Sequence, residues 1–320
     1  MEGRHRTSSL DTGSYIVTSS PPRDLVGYGG SWPDFSWPNG RKLAVSVVVN
    51  FEEGAELQVG DGDVSSEPMG EVISVVKPGV RDIGQEQIFG YGMRAGLWRV
   101  LDALESRAIP TTFFACGQAV ERSPTLAAAV ARRGHEIALH GWRWHPQSDY
   151  TSRAEELHDI DRSIDVIQAV TGQTPSGFFC RGSESIHTRD LLKQRGFLYT
   201  SNGFDDDLPY WDPSPGELVV VPYALDSNDM KFFHPNGFVR SGDMVDYVND
   251  ALEVLLAEAR AGNPRLLNIG FHLRIAGRPG RFAAMQRILE LLDTHRDKVW
   301  LATRGKIAKS FATSVPRAER

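Results

Sequence analysis

Short apolar, β-branched runs alternate along the chain with longer segments in which apolar residues recur every three to four positions. The short runs at 43–51, 111–115, 136–140, 177–180, 218–222, 266–272 and 299–301 predict strands. The longer segments at 93–106, 124–133, 154–171, 188–195, 243–261 and 280–295 predict helices; in the first, Leu97, Val100, Leu101 and Leu104 share one face. Ser123 before Pro124 and Gly134 after Arg133 supply a start and a stop. Strand alternating with helix predicts a mostly parallel sheet with covered faces. About seven such units without a break predict an α/β fold of the distorted (β/α)7–8 barrel type, one domain over 23–320. A doubly wound open sheet is the alternative, and its dinucleotide-binding form lacks the expected GxGxxG after the first strand.

Three segments break the alternation. Residues 1–22 end in Pro21-Pro22 and predict a flexible leader. Residues 23–40 are aromatic and rich in Gly and Pro, which suits irregular chain packed on the body. Residues 56–89 form a long irregular insertion after the acidic end of the first strand, placed to roof a pocket. Composition narrows the function classes. The net charge is −6 with acids and bases interspersed, so no basic stripe exists for nucleic acid. No apolar run is long enough for a bilayer, and the first twenty residues lack an apolar core of the secretory kind. Two cysteines, Cys116 and Cys180, make neither a disulfide framework nor a zinc ribbon. A cytoplasmic protein without nucleic-acid or membrane partners is expected.

In a parallel barrel the active site gathers at the carboxyl ends of the strands. The first strand runs into Glu52-Glu53-Gly54. Neighbouring side chains of a strand point to opposite faces, so one of the two carboxylates faces the axis unless the chain turns at Gly54. A solvated acidic turn is the plainer reading. The third strand ends at His140, before Trp142-Arg143-Trp144-His145, a group suited to stacking on a planar polar ligand. The seventh ends at His272, beside Arg274, Arg278 and Arg281. A histidine is the usual general acid for a leaving amine, and arginines bind carboxylate or carbonyl oxygens. Arg181 follows the fourth strand, where it could hold a catalytic carboxylate. Ser183 has no G-x-S-x-G elbow, which argues against a serine hydrolase.

Further runs join these: Arg23 through Gly29, Asn50 through Gly54, Tyr91-Gly92 with Arg94-Ala95-Gly96 and Trp98, and His140 through Trp144. Asp206 through Trp211, Asn228-Asp229-Met230 and residues 272–280 complete the set. Together, over residues 23–311, they resemble the polysaccharide deacetylase (NodB homology) family, and within it the PuuE-type allantoinase branch. The resemblance implies a hydrolase of a non-peptide C–N bond. Glu52 would activate water, Arg181 would pair with and orient that carboxylate, and His272 would protonate the leaving nitrogen. His140 would bind the water or the carbonyl oxygen. Glu53, Tyr91, Arg94, Trp144, Asp206 and Arg274 would shape the substrate site. A small-molecule substrate and a homo-oligomer are implied as partners.

The wider family carries an Asp-Asp pair and two histidines spaced H-x-x-x-H for a metal. Here the pair is Glu52-Glu53, the position four after His140 is Trp144, and His145 is one residue too late. No metal or other cofactor is therefore expected; the alternative is a zinc-like ion on Glu53, His140 and His145. Gly90, Met93 and Asn202 replace polar residues of the allantoinase branch in regions expected to face substrate. The leading expectation is metal-independent cleavage of a small cyclic amide, ureide or imide. The alternatives are a metal-dependent deacetylase of N-acetyl sugars or other N-acyl compounds, and a family member that only binds a ligand.

Overall fold

The computed structural model describes residues 23–317; the expected leader at 1–22 lies outside the described residues. The chain divides after Trp32 into two units. In the described part of the first unit, the Asp24 carboxylate accepts from the backbone N–H groups of Val26 and Gly27 and holds a turn. The second unit, from Pro33 on, holds all the strands.

Its centre is β1 (Leu43–Phe51), every residue of which is buried. A strand with neighbours on both edges and covers on both faces reads as a continuous apolar run, as this one does. β1 pairs in parallel with β2 (Thr111–Ala115) on one side and β8 (Arg265–His272) on the other, and its first residues also pair with β9 (Val299–Leu301). The sheet continues through β3 (Glu136–Leu139), β4 (Gly177–Phe178), β5 (Tyr199–Thr200) and β7 (Val219–Val220) to an antiparallel edge, β6 (Tyr210–Trp211). The sheet curls into an open barrel. Across its seam, β8 meets the chain after β7 at an isolated parallel bridge between Asn228 and Gly270.

The period of two sorts the two faces of β1 and β8. Val45, Val47, Val49 and Phe51, with Leu267, Ile269 and Phe271, join the core beneath the helices. The alternate positions carry Ser46, Asn50, Asn268 and His272, all buried polar groups on the interior face. Low in that interior, the buried Arg304 donates to Ser201 Oγ, Asn268 Oδ1 and the carbonyls of Val221 and Pro222. Burial pushes its guanidinium down to about 10.

The helices that cover the sheet include α4 (Pro124–Arg132), α5 (Arg153–Thr171), α6 (Thr188–Gln194), α7 (Ser241–Arg260) and α9 (Pro279–Thr294). Three features depart from the sequence expectation. The helix expected at 93–106 begins ten residues earlier, as α1 (Ile83–Tyr91), and passes through a π turn (Gly92–Gly96) into α2 (Leu97–Ser106). The insertion expected at 56–89 is therefore irregular only as far as Asp82, whose carboxylate accepts from Gln85 N and caps α1. The short helices α3 (Gly117–Arg122) and α8 (Leu273–Ala276) and the terminal α10 (Arg304–Ser314) were not expected, although α10 buries Ile307, Ala308 and Phe311 on one face. Among the described residues no helix is long and apolar enough to cross a membrane.

Candidate functional site

The carboxyl ends of β1, β3, β4 and β8 surround a cavity of about 620 Å³. Continuing the alternation of β1, Glu52 follows Asn50 onto the interior face and Glu53 turns away from it. Glu52 is fully buried at the floor. Its Oε1 lies 3.2 Å from His140 Nε2 and 3.3 Å from His272 Nε2, and its Oε2 lies 2.6 Å from an Arg274 guanidinium nitrogen. Burial acts to raise this carboxyl, but His272 and Arg274, aided by the bond from His140, hold it well below the usual range. Glu52 is thus ionised.

The second carboxylate behaves oppositely. Glu53 accepts from the backbone N–H of Arg274 at 2.9 Å and from that of Glu52 at 3.2 Å. Burial raises it to about 7; the charge of Glu52 adds to that rise, and Arg274 opposes it. Two adjacent acids therefore have different roles: Glu52 faces the cavity, and Glu53 ties the Arg274 backbone to the end of β1.

The two histidines are held differently. His140 Nδ1 is 2.6 Å from the Phe179 carbonyl, which can only accept, so Nδ1 carries a hydrogen. Nε2, 3.2 Å from the Glu52 carboxylate, can bond it only by donating as well. The ring stacks on Phe179, at 5.2 Å and 13°, and Phe179 stacks in turn on Tyr223, at 4.2 Å and 8°. His272 Nδ1 is bonded to Asp229 Oδ1, and its Nε2 lies 2.8 Å from the Asn50 side-chain amide, whose oxygen is otherwise unpaired and is the atom able to accept from a protonated Nε2. Burial works against the charged ring, but Glu52 and Asp229 raise His272 to about 9. It is an imidazolium at neutral pH.

Several sequence-predicted site residues lie elsewhere. Arg181 does not pair with Glu52. It forms a two-pronged ion pair with the buried Glu67, at 2.6 and 3.0 Å, and lies 3.9 Å over the Trp144 ring. The partner of Glu52 is Arg274, because α8 begins directly after His272 and carries its second residue back over β1. Trp144 lines the cavity as expected of its place in the loop after β3. Tyr91 accepts from Arg99 and lies under Arg278, at 3.8 Å, outside the cavity lining. Arg94 is exposed on the π turn. Asp206 caps Leu208 N and lines a separate cavity beside Asp207 and Asn268. The three positions expected to alter the substrate site lie off the cavity lining. Gly90 faces open space, Met93 packs in the core, and Asn202 brackets Cys180 through bonds to its N–H and carbonyl.

The residues of the metal alternative do not gather. His145 Nδ1 bonds the Pro146 carbonyl and its ring meets Tyr150 edge-on at 5.2 Å. Glu53 is committed to two backbone donors, and Trp144 offers no lone pair. Arg274 already supplies a fixed positive charge on Glu52. Among the described residues no three His, Cys, Asp or Glu side chains form a ligand set. These residues do not fit a bound metal ion. Both cysteines are buried with their thiols pushed up by desolvation, and neither lines the cavity.

Asp229 and Asn50 join the candidate site through their contacts with His272, although the sequence did not single them out. A charged histidine at a strand end needs a buried acid, and Asn228-Asp229-Met230 held the nearest unassigned one.

A polysaccharide deacetylase family model matches residues 86–199. The chain is 36% identical over 316 residues to a Schizosaccharomyces pombe protein of that family, covering 92% of this chain and 98% of the relative. A solved structure of a probable polysaccharide deacetylase from Pseudomonas aeruginosa PAO1 superposes with a TM-score of 0.87 at 39% identity, covering 93% of this chain and all of that one. A PuuE allantoinase superposes with a TM-score of 0.88 at 38% identity and the same coverage. This chain belongs to the polysaccharide deacetylase family and is a hydrolase of carbon–nitrogen bonds other than peptide bonds.

Proposed function

We propose that the protein opens a small cyclic amide, ureide or imide, in the manner of an allantoinase, without a metal. The observation that carries this reading is the position of Glu52, with two imidazoles on one oxygen and Arg274 on the other, at the floor of an aromatic-walled cavity. Trp144, Phe179 and Tyr223 supply an aromatic wall suited to a small, flat ligand. The likeness to the PuuE allantoinase over nearly the whole chain supports the same substrate class.

In this mechanism a water sits against Glu52 and His140. Its oxygen bonds the carbonyl carbon while its proton passes to the Glu52 carboxylate. A carboxylate lowered by cations is a weak base, and fixing the water against the carbonyl carbon offsets that weakness. As the C–N bond breaks, its electron pair takes the Nε2 proton of the His272 imidazolium, and the proton held near Glu52 later restores His272. Arg274 keeps the carboxylate ionised and fixed throughout.

The test is turnover of hydantoins, dihydropyrimidines, allantoin, cyclic imides and N-acetyl sugars by protein dialysed against chelator. Ring opening that survives chelation, with Glu52→Gln reduced about 10²–10⁴-fold, is expected. Full activity in Glu52→Gln, or cleavage of N-acetyl sugars alone and only with added zinc, overturns the reading.

A further inference from the structure

The irregular chain between the helical turn at 59–61 and the start of α1 crosses beside the cavity, and its fastenings are unequal. At one end the carboxylate of Glu67, with no exposed surface, takes both prongs of Arg181 and accepts from Met69 N, while its own backbone bonds Leu57 and Gln85. At the other end Glu71 pairs with Arg281 at 2.6 and 2.9 Å and lies 3.6 Å from Arg278, on the wall of a neighbouring cavity. The two arginines are equally exposed, at 23%, but Glu71 is 26% exposed and Glu67 has no exposed surface, so water and salt reach both groups of the Glu71 pair and only the arginine of the Glu67 pair. Met69 sits between the two carboxylates and lines the catalytic cavity. Beyond Glu71, the side chains of Val72, Ile73 and Val75 point into solvent, with 65%, 80% and 94% of their surface exposed. They contribute little packing to hold the segment down. Backbone bonds add to the Glu67 ion pair at one end, whereas at Glu71 the side-chain ion pair is the fastening, and the next bond along is from Ser74 to Asp82.

We propose that residues 67–71 are a strap that sets the size of substrate the cavity accepts, with Met69 as its contact surface, Glu67 as a fixed anchor and Glu71 as the end that releases. Met suits that place, since a flexible thioether fills an irregular gap against ligands of differing shape. The inference rests on the cavity being the catalytic one, and it narrows the substrate to single small molecules. A polymer lying across the carboxyl ends of the strands would have to displace the strap.

Two measurements test it. The first needs no substrate. Thermolysin cuts before exposed Val and Ile, so cleavage within 72–76 reports release of the strap. Glu71→Gln is expected to speed that cleavage at least several-fold at low salt, and raised salt is expected to do the same to the wild type. Cleavage unchanged by both overturns the unequal fastening. The second is selectivity between small and large members of one substrate series. Hydantoin is compared with 5-benzylhydantoin if rings are opened, or N-acetylglucosamine with its hexamer if N-acetyl groups are cleaved. Met69→Gly is expected to raise the ratio of large to small kcat/KM by about tenfold or more, on the order of what a few methylenes in a pocket discriminate. An unchanged ratio overturns the strap as a size filter. Activity on N-acetyl sugars with none on rings overturns the proposed function, while the Met69→Gly ratio still decides the strap. If neither series turns over, unchanged cleavage in Glu71→Gln and in salt alone rejects the strap.

Discussion

Asp229 grips His272 at two points: Oδ1 lies 2.6 Å from Nδ1, and Oδ2 accepts the His272 backbone N–H at 2.8 Å. The same Oδ2 accepts from Ala276 N at 3.1 Å, so one carboxylate fixes both the ring and the first turn of α8 that carries Arg274. It sets the tautomer of the ring and adds to its positive charge.

Asp229→Asn removes that charge and lowers His272 from about 9 towards its ordinary value. The alkaline limb of the pH–rate profile is expected to move down with it, and activity at pH 8 to fall by roughly tenfold or more. The stability signature has a defined sign. His272 is raised in the folded state, so its contribution is complete below the unfolded value near 6.5 and is lost as pH rises through about 9. Chemical denaturation between pH 6 and 10 should show this loss in the wild type and less of it in Asp229→Asn. Identical slopes would remove Asp229 as the partner that charges the ring.

Arg274 and Arg181 are separable by the same conservative change. Arg274 touches Glu52, lies 4.4 Å over Phe89 and 4.7 Å over Trp144, and is buried. Lysine cannot reproduce the planar stacking or reach, so Arg274→Lys should lower kcat by on the order of 10²-fold. Arg181→Lys keeps a charge beside Glu67 and leaves Glu52 untouched. It should raise KM several-fold while kcat stays within about threefold. Steady-state kinetics on any turned-over substrate distinguishes the two. Equal losses of kcat would restore Arg181 to the catalytic set.

The alternation of runs was enough to place the central strands, because β1 and β8 are buried on both faces and most of their residues are apolar. The two-residue strands β5 and β6 were not legible, since Tyr199-Thr200 and Tyr210-Trp211 stand outside any apolar, β-branched run, whereas the equally short β4 and β7 lie within such runs. At the candidate site, the strand-end rule points to His140, His272 and the Glu52-Glu53 pair, and the family resemblance is what singles out Glu52 within the pair. It fails for the arginine, because which cation reaches a carboxylate depends on the turn that follows each strand. Arg181 is one residue past the buried Cys180 and leans outward to Glu67, whereas Arg274 is folded back by α8. Tyr91 and Arg94 stand in a motif whose constraint comes from the glycines between and after them rather than from their own side chains.

A buried histidine far from the cavity predicts the acid side of the stability curve. His135, before β3, has neither ring nitrogen bonded, and lies against Phe113 at 5.3 Å. Burial, with a smaller push from Arg133, lowers it to about 4. The folded state therefore refuses a proton that the unfolded chain accepts below about 6.5, and stability falls as pH drops from 6.5 to 4. The full effect is roughly 3 kcal/mol, at about 1.4 kcal/mol per pH unit of difference. His135→Phe should flatten that part of the curve, measured as urea midpoints from pH 7 to 4. A midpoint that falls as steeply in the variant would assign the acid loss to other groups.

The glycines of the π turn give the sharpest contrast between neighbours. A Cβ at Gly92 would stand 2.5 Å from Glu53 Oε1 and 2.8 Å from Arg274 N, so the π turn packs directly on the bond that ties Arg274 to β1. Gly92→Ala must push that bond apart, at a cost of about 1–3 kcal/mol of stability. Its larger effect should be on turnover, because the Arg274 guanidinium moves with its backbone and loosens from Glu52. Gly90, one helical position before Tyr91, has nothing within 4 Å of the same added atom. Gly90→Ala should therefore gain about 0.5–1 kcal/mol from helix propensity and leave kcat unchanged. Thermal melts and kinetics on the pair measure both effects. If Gly92→Ala melts lower yet turns over at the wild-type rate, the π turn supports the fold without holding Arg274 on its carboxylate.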